Sequence, residues 1–440
     1  MAEENRTRAD LRAITADGAA YSVMVGVGET YLVPFALALG IAAGQASLLA
    51  TLPVLAGSLL QLVAPLAVRR IGSYRRWVVS CAALQALCFV PLVIAALVGH
   101  AKPVLLFGVG AAYWGFSLAT GPAWNAWVAT IVPARLRARF FARRARLAQL
   151  ALLIGLVAGG YGLEWGKHDG RVFVAFAGLF ATACVARLVS SRFLAAMSET
   201  PGLASRLEAI HAAGVLRTLR GRDAGRIVAW LLAMQVVVNV AAPFFAPYML
   251  GPLGLSYDGF MILTATSFVS RVLVLPLLGR MAERGRSARL LRLGALGIVP
   301  LPALWLVSHD FVFLLALQTF AGCAWAAVEL ATLLVFFDGL EQETRTSVLA
   351  LYNTGSAAAV ALGSLLGAGL FTALGSDAAA YAALFAVSSI TRAATLPLLR
   401  RVGPTRGPPG ELDTLAVRPS LGALQRPILS SLGPIGEEPQ

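Results

Sequence analysis

Three charged residues lie deep inside long apolar stretches of the chain: Glu29, Arg271 and Glu329. A charge at the centre of a lone membrane helix costs about 2.5–3.5 kcal/mol on insertion scales, so such residues have a partner or a function. Arg271 can pair with either carboxylate, and a carboxylate shielded from water can take up and release a proton. We therefore expect Glu29, together with Glu329, to carry a proton. Arg271 would modulate its release or bind an anionic group, and a permanent ion pair is the alternative.

Polar and aromatic residues recur at helical spacing within the same apolar stretches. In the fourth stretch they follow one another at intervals of three or four residues and therefore share one helix face. Similar stripes occupy the first, seventh, eighth and tenth stretches. Because polar groups are costly against lipid, we expect these stripes to line a wet cavity, with interhelical hydrogen bonds and packing as the alternative. The predicted lining is Tyr21, Ser22, Tyr113, Ser117, Thr120, Trp124, Trp127, Gln235, Asn239, Thr264, Ser267, Gln318 and Trp325.

The elements that carry these residues are twelve apolar runs of bilayer-spanning length between Gly18 and Leu399. The chain is 58% hydrophobic and only 13% charged, against about 25% charged residues in a soluble domain. About 20 apolar residues cross a bilayer as a helix, and the runs are continuously apolar rather than alternating as in a barrel. The sequence therefore predicts an all-α membrane protein with twelve transmembrane helices in two pseudo-symmetric six-helix bundles.

The basic residues are distributed very unevenly between alternate loops. With the N-terminus in the cytoplasm, 30 of the 36 Lys and Arg residues fall on the cytoplasmic side and only three on the outer side. This bias predicts an integral protein of the plasma or inner membrane with both termini cytoplasmic. It also accounts for the net charge of +14 without a nucleic-acid partner. Arg187 and Arg392 lie near cytoplasmic span ends, where we expect a long side chain to reach the interface.

The chain divides into two halves with the same plan. We predict a cytoplasmic tail over 1–12, a first bundle over 13–197, a central loop over 198–226, a second bundle over 227–400 and a disordered tail over 401–440. Both halves contain two glycines four residues apart, Gly155 with Gly159 and Gly363 with Gly367, which allow close helix packing. A six-plus-six duplication is typical of secondary transporters, whose solute site lies where the halves meet.

The loop after the eighth span contains Gly-Arg-Met-Ala-Glu-Arg-Gly-Arg. This run resembles the loop motif of the major facilitator superfamily, commonly Gly-x-Leu-Ala-Asp-Arg-x-Gly-Arg-Arg. The first-half copy is degenerate, because Val68 stands where the family usually has an acid. The resemblance implies that spans one, four, seven and ten line a central cavity. It also implies a cytoplasmic gate that contains Arg69, Arg70, Gly279, Glu283, Arg284, Gly285 and Arg286.

These features together predict a secondary active transporter that moves a small organic solute by alternating access, driven by a proton gradient. A multidrug or metabolite efflux antiporter and a non-transporting receptor or assembly protein of the same fold are the alternatives. We expect a monomer that contacts lipid and a small-molecule substrate, without cofactor or metal. The chain lacks a nucleotide-binding loop and a catalytic cluster of His, Asp, Glu or Ser, so no enzymatic activity is predicted.

Overall fold

A computed structural model of the chain describes residues 2–132, 134–199, 223–282, 287–339 and 342–400, and these residues form helices and short connections without strands. Twelve elements follow one another along the chain. They are α1 (Ala2–Val27 and Leu32–Ala38), α2 (Ala43–Leu49 and Leu52–Ile71), α3 (Tyr74–Leu87 and Phe89–Val98), α4 (Pro103–Ile131), α5 (Ala134–His168), α6 (Val172–Ala196), α7 (Asp223–Ala241 and Phe245–Leu250), α8 (Tyr257–Ala282), α9 (Ser287–Ile298 and Leu301–Leu304), α10 (Phe311–Gly339), α11 (Gln342–Ala373) and α12 (Ala378–Thr395 and Pro397–Arg400).

Ten of the described helices are long and apolar enough to cross a bilayer. The remaining two elements, α2 and α9, are each divided into two pieces. Many large apolar side chains point outward from the bundle, among them Val104, Ile154, Leu273 and Ile390, each at least 67% exposed. Such an apolar surface suits lipid rather than water. The helical membrane fold predicted from the sequence is therefore confirmed.

The two halves share two interruptions, at their first and third elements. A 3₁₀ turn divides α1 at Glu29–Tyr31, and another divides α7 at Ala242–Phe244. The third element of each half, α3 and α9, is also divided into two pieces. This correspondence supports the internal duplication inferred from the sequence.

Within each half, glycines allow the helices to approach closely. A Cβ atom at Gly155 would lie 3.0 Å from the carbonyl oxygen of Val23, and one at Gly363 would lie 2.9 Å from the carbonyl carbon of Val236. These glycines hold α5 against α1 and α11 against α7. The close packing predicted from the glycine spacing is thus present in both halves.

One of the places where the halves meet is between the end of α5 and the start of α8, a contact that we call the α5–α8 seam. At the seam, a Cβ atom at Gly160 would lie 2.6 Å from Cβ of Met261. The backbone N–H of Tyr257 donates to Oε2 of Glu164 at 2.9 Å, and the Phe176 and Tyr257 rings are edge-on at 6.0 Å. The predicted topology places the seam on the outer side of the membrane.

Parts of the predicted domain plan lie outside the described residues, namely 200–222 of the central loop and the tail over 401–440. At the N-terminus, α1 begins at Ala2, so the residues assigned to a cytoplasmic tail continue the first helix.

Candidate functional site

A cavity of about 280 Å³ lies between the two halves, next to the breaks in helices α1 and α7. The first half contributes residues of α1, α2 and α4, and the second half contributes residues of α7, α8, α9, α10 and α12. Its polar and aromatic lining comprises Glu29, Thr30, Trp114, Phe245, Phe260, Thr264, Ser267, Arg271, Trp305, Gln318, Trp325 and Arg392. An apolar and aromatic wall with a few polar groups is typical of a site for a small organic molecule.

The break in α1 positions Glu29 at the cavity. Gly28 directly follows the first segment of α1, and a Cβ atom there would lie 2.7 Å from both Ala183 and Phe89, so only glycine fits without displacement. Glu29 begins the 3₁₀ turn that follows and is 8% exposed. The Tyr113 hydroxyl donates to its Oε2 at 2.8 Å. The structure thus brings together a carboxylate and a phenol that share a hydrogen bond.

On the opposite wall, Arg271 and Glu329 form an ion pair between α8 and α10. Nη1 of Arg271 lies 2.6 Å from Oε1 of Glu329, and both side chains are largely buried. Gly322 allows the two helices to approach this closely, because a Cβ atom there would lie 3.1 Å from the backbone nitrogen of Arg271. Arg271 lines the cavity and Glu329 lies behind it. Of the two pairings open from the sequence, the structure contains the one between Arg271 and Glu329.

Four of the predicted lining residues face the cavity: Thr264, Ser267, Gln318 and Trp325. All four belong to α8 and α10. The stripe on α7 serves helix packing instead, since Gln235 donates to Ser356 at 3.1 Å and Asn239 donates to the Gln235 carbonyl at 2.8 Å.

In the first half, the other predicted residues do not line the cavity. Ser22 and Thr120 donate to carbonyl oxygens of their own helices, at 2.8 Å and 2.7 Å. Ser117 is 8% exposed and lies outside the lining. Trp127 donates through Nε1 to the Ser198 carbonyl at 2.8 Å, at the far end of α4.

The first half contains a second polar centre, built around Asp17. Its carboxylate lies 3.6 Å from Arg144 and 4.0 Å from Arg187, and Ser190 donates to it at 2.6 Å. The two guanidinium groups also lie over aromatic rings: Arg144 is 4.7 Å from the Trp124 ring centre, and Arg187 is 4.9 Å from that of Tyr21. Tyr21 and Trp124 therefore contact this buried charge centre rather than the cavity.

The expectation that Arg187 and Arg392 reach the membrane interface was wrong. Arg187 is fully buried, and Gln85 accepts a hydrogen bond from its Nε at 2.8 Å. Arg392 is 2% exposed and lines the cavity. Helix position alone indicated a path to the interface, but both side chains point inward, where polar groups of neighbouring helices receive them.

The predicted gate motif is only partly described. Arg69 and Arg70 are exposed in the last turn of α2, and Gly279 lies in α8. Residues 283–286, which include Glu283, Arg284, Gly285 and Arg286, lie outside the described residues.

Sequence reasoning assigned no role to Glu199, which holds the connection between α2 and α3. Its carboxylate accepts from the backbone N–H of Tyr74 at 2.5 Å and from the Ser73 hydroxyl at 2.6 Å. A carboxylate at a helix N-terminus satisfies free N–H groups and interacts favourably with the helix dipole. Glu199 thereby ties the end of α6 to the start of α3.

No group of three His, Cys, Asp or Glu residues in the described part of the chain could hold a metal ion. The charged groups of the cavity are Glu29, Arg271 and Arg392. They can bind and orient a polar solute and exchange a proton with it or with water.

The fold, with a cavity between two six-helix bundles, is a two-lobed architecture on which membrane transporters are built. Residues 227–432 match the family model described as Major Facilitator Superfamily. No curated protein matches the chain. Solved structures with a similar fold include a point mutant of the nucleoside transporter NupG, with a TM-score of 0.70, 10% identity, and coverage of 89% of this chain and 99% of that one.

A D-xylose-proton symporter aligns with a TM-score of 0.62 and 14% identity, over 91% of this chain and 98% of its own. The transporter FucP in its outward conformation aligns with a TM-score of 0.56 and 13% identity, over 89% and 98%. The resemblance seen in the loop motif is therefore confirmed. Residues 227–432 thus match the superfamily in sequence, and the likeness to these solved transporters extends by fold along most of the chain.

Proposed function

We propose that this protein is a proton-coupled secondary transporter of a small organic solute, with Glu29 as the residue that carries the proton. The position of Glu29 supports the proposal most strongly. Its carboxylate lines the cavity between the halves and accepts a hydrogen bond from the Tyr113 hydroxyl at 2.8 Å. Rocking of the halves around the cavity would expose this carboxylate to each side in turn. One similar structure is that of a proton symporter, which agrees with the proposal.

The solute binds in the cavity between the aromatic side chains and the polar groups of α8 and α10. Trp114, Trp305 and Trp325 offer flat apolar surfaces, while Thr264 and Gln318 offer hydrogen bonds. At about 280 Å³ the cavity lies near the lower end of the range of about 300–1,000 Å³ for ligand pockets. It therefore suits a solute the size of a monosaccharide. We place the protein in the plasma or inner membrane as a monomer with both termini cytoplasmic.

The test begins with a thermal-shift screen of the detergent-purified protein against sugars, nucleosides, amino acids, organic acids and cationic drugs. A compound that binds only the folded state stabilises it by about 2.7 kcal/mol at one hundred times its dissociation constant. The compound that gives a shift is then used in vesicles with an imposed pH gradient.

Wild-type protein should accumulate the solute against its gradient. Glu29→Gln should abolish accumulation but retain exchange of solute across the membrane, because the variant keeps the cavity and loses the titratable group. Asp169→Asn, at an exposed loop position, is the matched control and should behave as wild type. Accumulation retained by Glu29→Gln would reject Glu29 as the proton carrier, and binding without any transport would indicate a receptor.

A further inference from the structure

Arg392 is a buried cation in the cavity wall. Its side chain extends from α12, is 2% exposed and lines the cavity. Nη1 donates to the carbonyl oxygen of Ile298 at 2.8 Å, whereas Nε has no acceptor among the described residues. One neutral carbonyl leaves the positive charge of the guanidinium uncompensated.

Among the second-half acids whose side chains the structure describes, none neutralises Arg392. Glu329 is the one acidic residue in the middle of a span between 227 and 400, and it binds Arg271. Asp258 and Asp377 stand at the starts of α8 and α12, and Asp310 precedes α10. None of the described acidic side chains forms an ion pair with Arg392.

The first half contains a buried arginine whose charge is neutralised within the protein itself. Arg187 is the sixteenth residue of α6 and Arg392 the fifteenth of α12, the equivalent helix of the second half. Arg187 is paired with Asp17 of α1 and also binds Gln85 and Ser190. From Ala224 onward α7, the counterpart of α1, contains no acidic residue. The second half thus retains the arginine, but the helix equivalent to α1 carries no acid in the place of Asp17.

We propose that Arg392 binds the carboxylate or phosphate group of an anionic solute in the cavity. An unpaired buried charge is strongly unfavourable, and an anion that enters the cavity removes that cost. A guanidinium also matches the planar geometry of these oxyanions better than an ammonium does. Trp305 and Phe245 line the same cavity and would cover the carbon skeleton of the solute.

The inference deepens the proposed function and rests on it in one respect, since it takes the cavity as the solute site. It replaces Arg271 as the anion-binding residue, because Glu329 already neutralises Arg271. It narrows the solute to an organic acid or a phosphate ester of about monosaccharide size.

The test measures binding by thermal shift in detergent at constant ionic strength, with the full-length protein. The probes are D-glucuronate and D-glucose 6-phosphate compared with D-glucose, and acetate and inorganic phosphate compared with chloride. We expect a carboxylate or a phosphate probe to stabilise the wild type and the matched neutral sugar or chloride to have little effect. A preference for the carboxylate or for the phosphate probes identifies which of the two groups the solute carries.

Arg392→Gln should weaken binding of the preferred anion by about 10- to 150-fold, the range of a charge-assisted hydrogen bond. Arg392→Lys, which keeps the charge but not the fork of donors, should weaken it less and serves if the first variant does not fold. Arg192→Gln removes a positive charge from an exposed position of α6 and should leave binding unchanged.

Equal stabilisation by neutral and anionic probes, no anion-specific shift in the wild type, or an anion preference retained by both Arg392 variants would overturn the proposal. The measurement needs no membrane gradient, so it is separate from the transport test. Arg392-dependent anion binding without transport in vesicles would reject the proposed function and leave this inference standing.

Discussion

The hydrogen bond from Tyr257 to Glu164 should help to hold the α5–α8 seam closed. Glu164 belongs to the first half and accepts from the first N–H group of α8 in the second half, at 2.9 Å. Lys167 lies 5.9 Å from the Tyr257 ring centre and adds a second contact across the seam. In the proposed alternating access the halves separate here when the cavity opens on this side, so the bond would exist in only one of the two states.

The free energy that this hydrogen bond contributes follows from its geometry and from the exposure of Glu164. A hydrogen bond to a charged group contributes about 1.5–3 kcal/mol when buried. Glu164 is half-buried, so solvent reduces the contribution, and we take about 1–1.5 kcal/mol. Glu164→Ala should therefore raise the population open at the seam by about 5- to 12-fold.

The assay uses a protein without its four native cysteines and with a single cysteine at Thr264 in the cavity wall. The rate of labelling by a membrane-impermeant thiol reagent, applied from the side closed by the seam, reports the open population. Glu164→Ala should increase this labelling rate by about 5- to 12-fold. Asp169→Ala removes an exposed carboxylate from the same end of the molecule and should not change it. Equal rates in wild type and Glu164→Ala would refute the reasoning.

Two further predictions concern stability in detergent. Gly363→Ala should destabilise the protein by about 1–3 kcal/mol through overpacking, because the new Cβ would lie 2.9 Å from the carbonyl carbon of Val236. Gly369→Ala on the same helix has nothing within 4 Å and should be neutral or stabilising, so equal melting temperatures for the two variants would contradict the packing argument. Asp17→Asn should cost about 3–5 kcal/mol, because it leaves the buried Arg187 uncompensated. An unchanged melting temperature for this variant would show that the charge centre is stabilised by other contacts.

The helix face on which each polar stripe lies was predictable from the sequence. The residues that pack against that face were not. Tyr113 and Trp124 share one face of α4, as the sequence indicates, yet Tyr113 donates to Glu29 and Trp124 covers Arg144. The face is the same because both residues follow the period of the helix. The partners differ because α1 and α5 cross that face at different heights.

Sequence alone determined the class of the protein. Apolar runs of bilayer length and paired glycines such as Gly363 and Gly367 determine membrane helices and their close packing through local chemistry, and the arginine-rich loops predict the orientation of the helices. Only the tertiary structure decided which charges meet. Asp17 and Arg187 pair across 170 residues, Arg271 pairs with Glu329 rather than Glu29, and Arg392 lines the cavity with none of the described acids paired to it. Pairing depends on how helices pack in three dimensions, and that packing is set by contacts distributed over the whole bundle rather than by any local pattern.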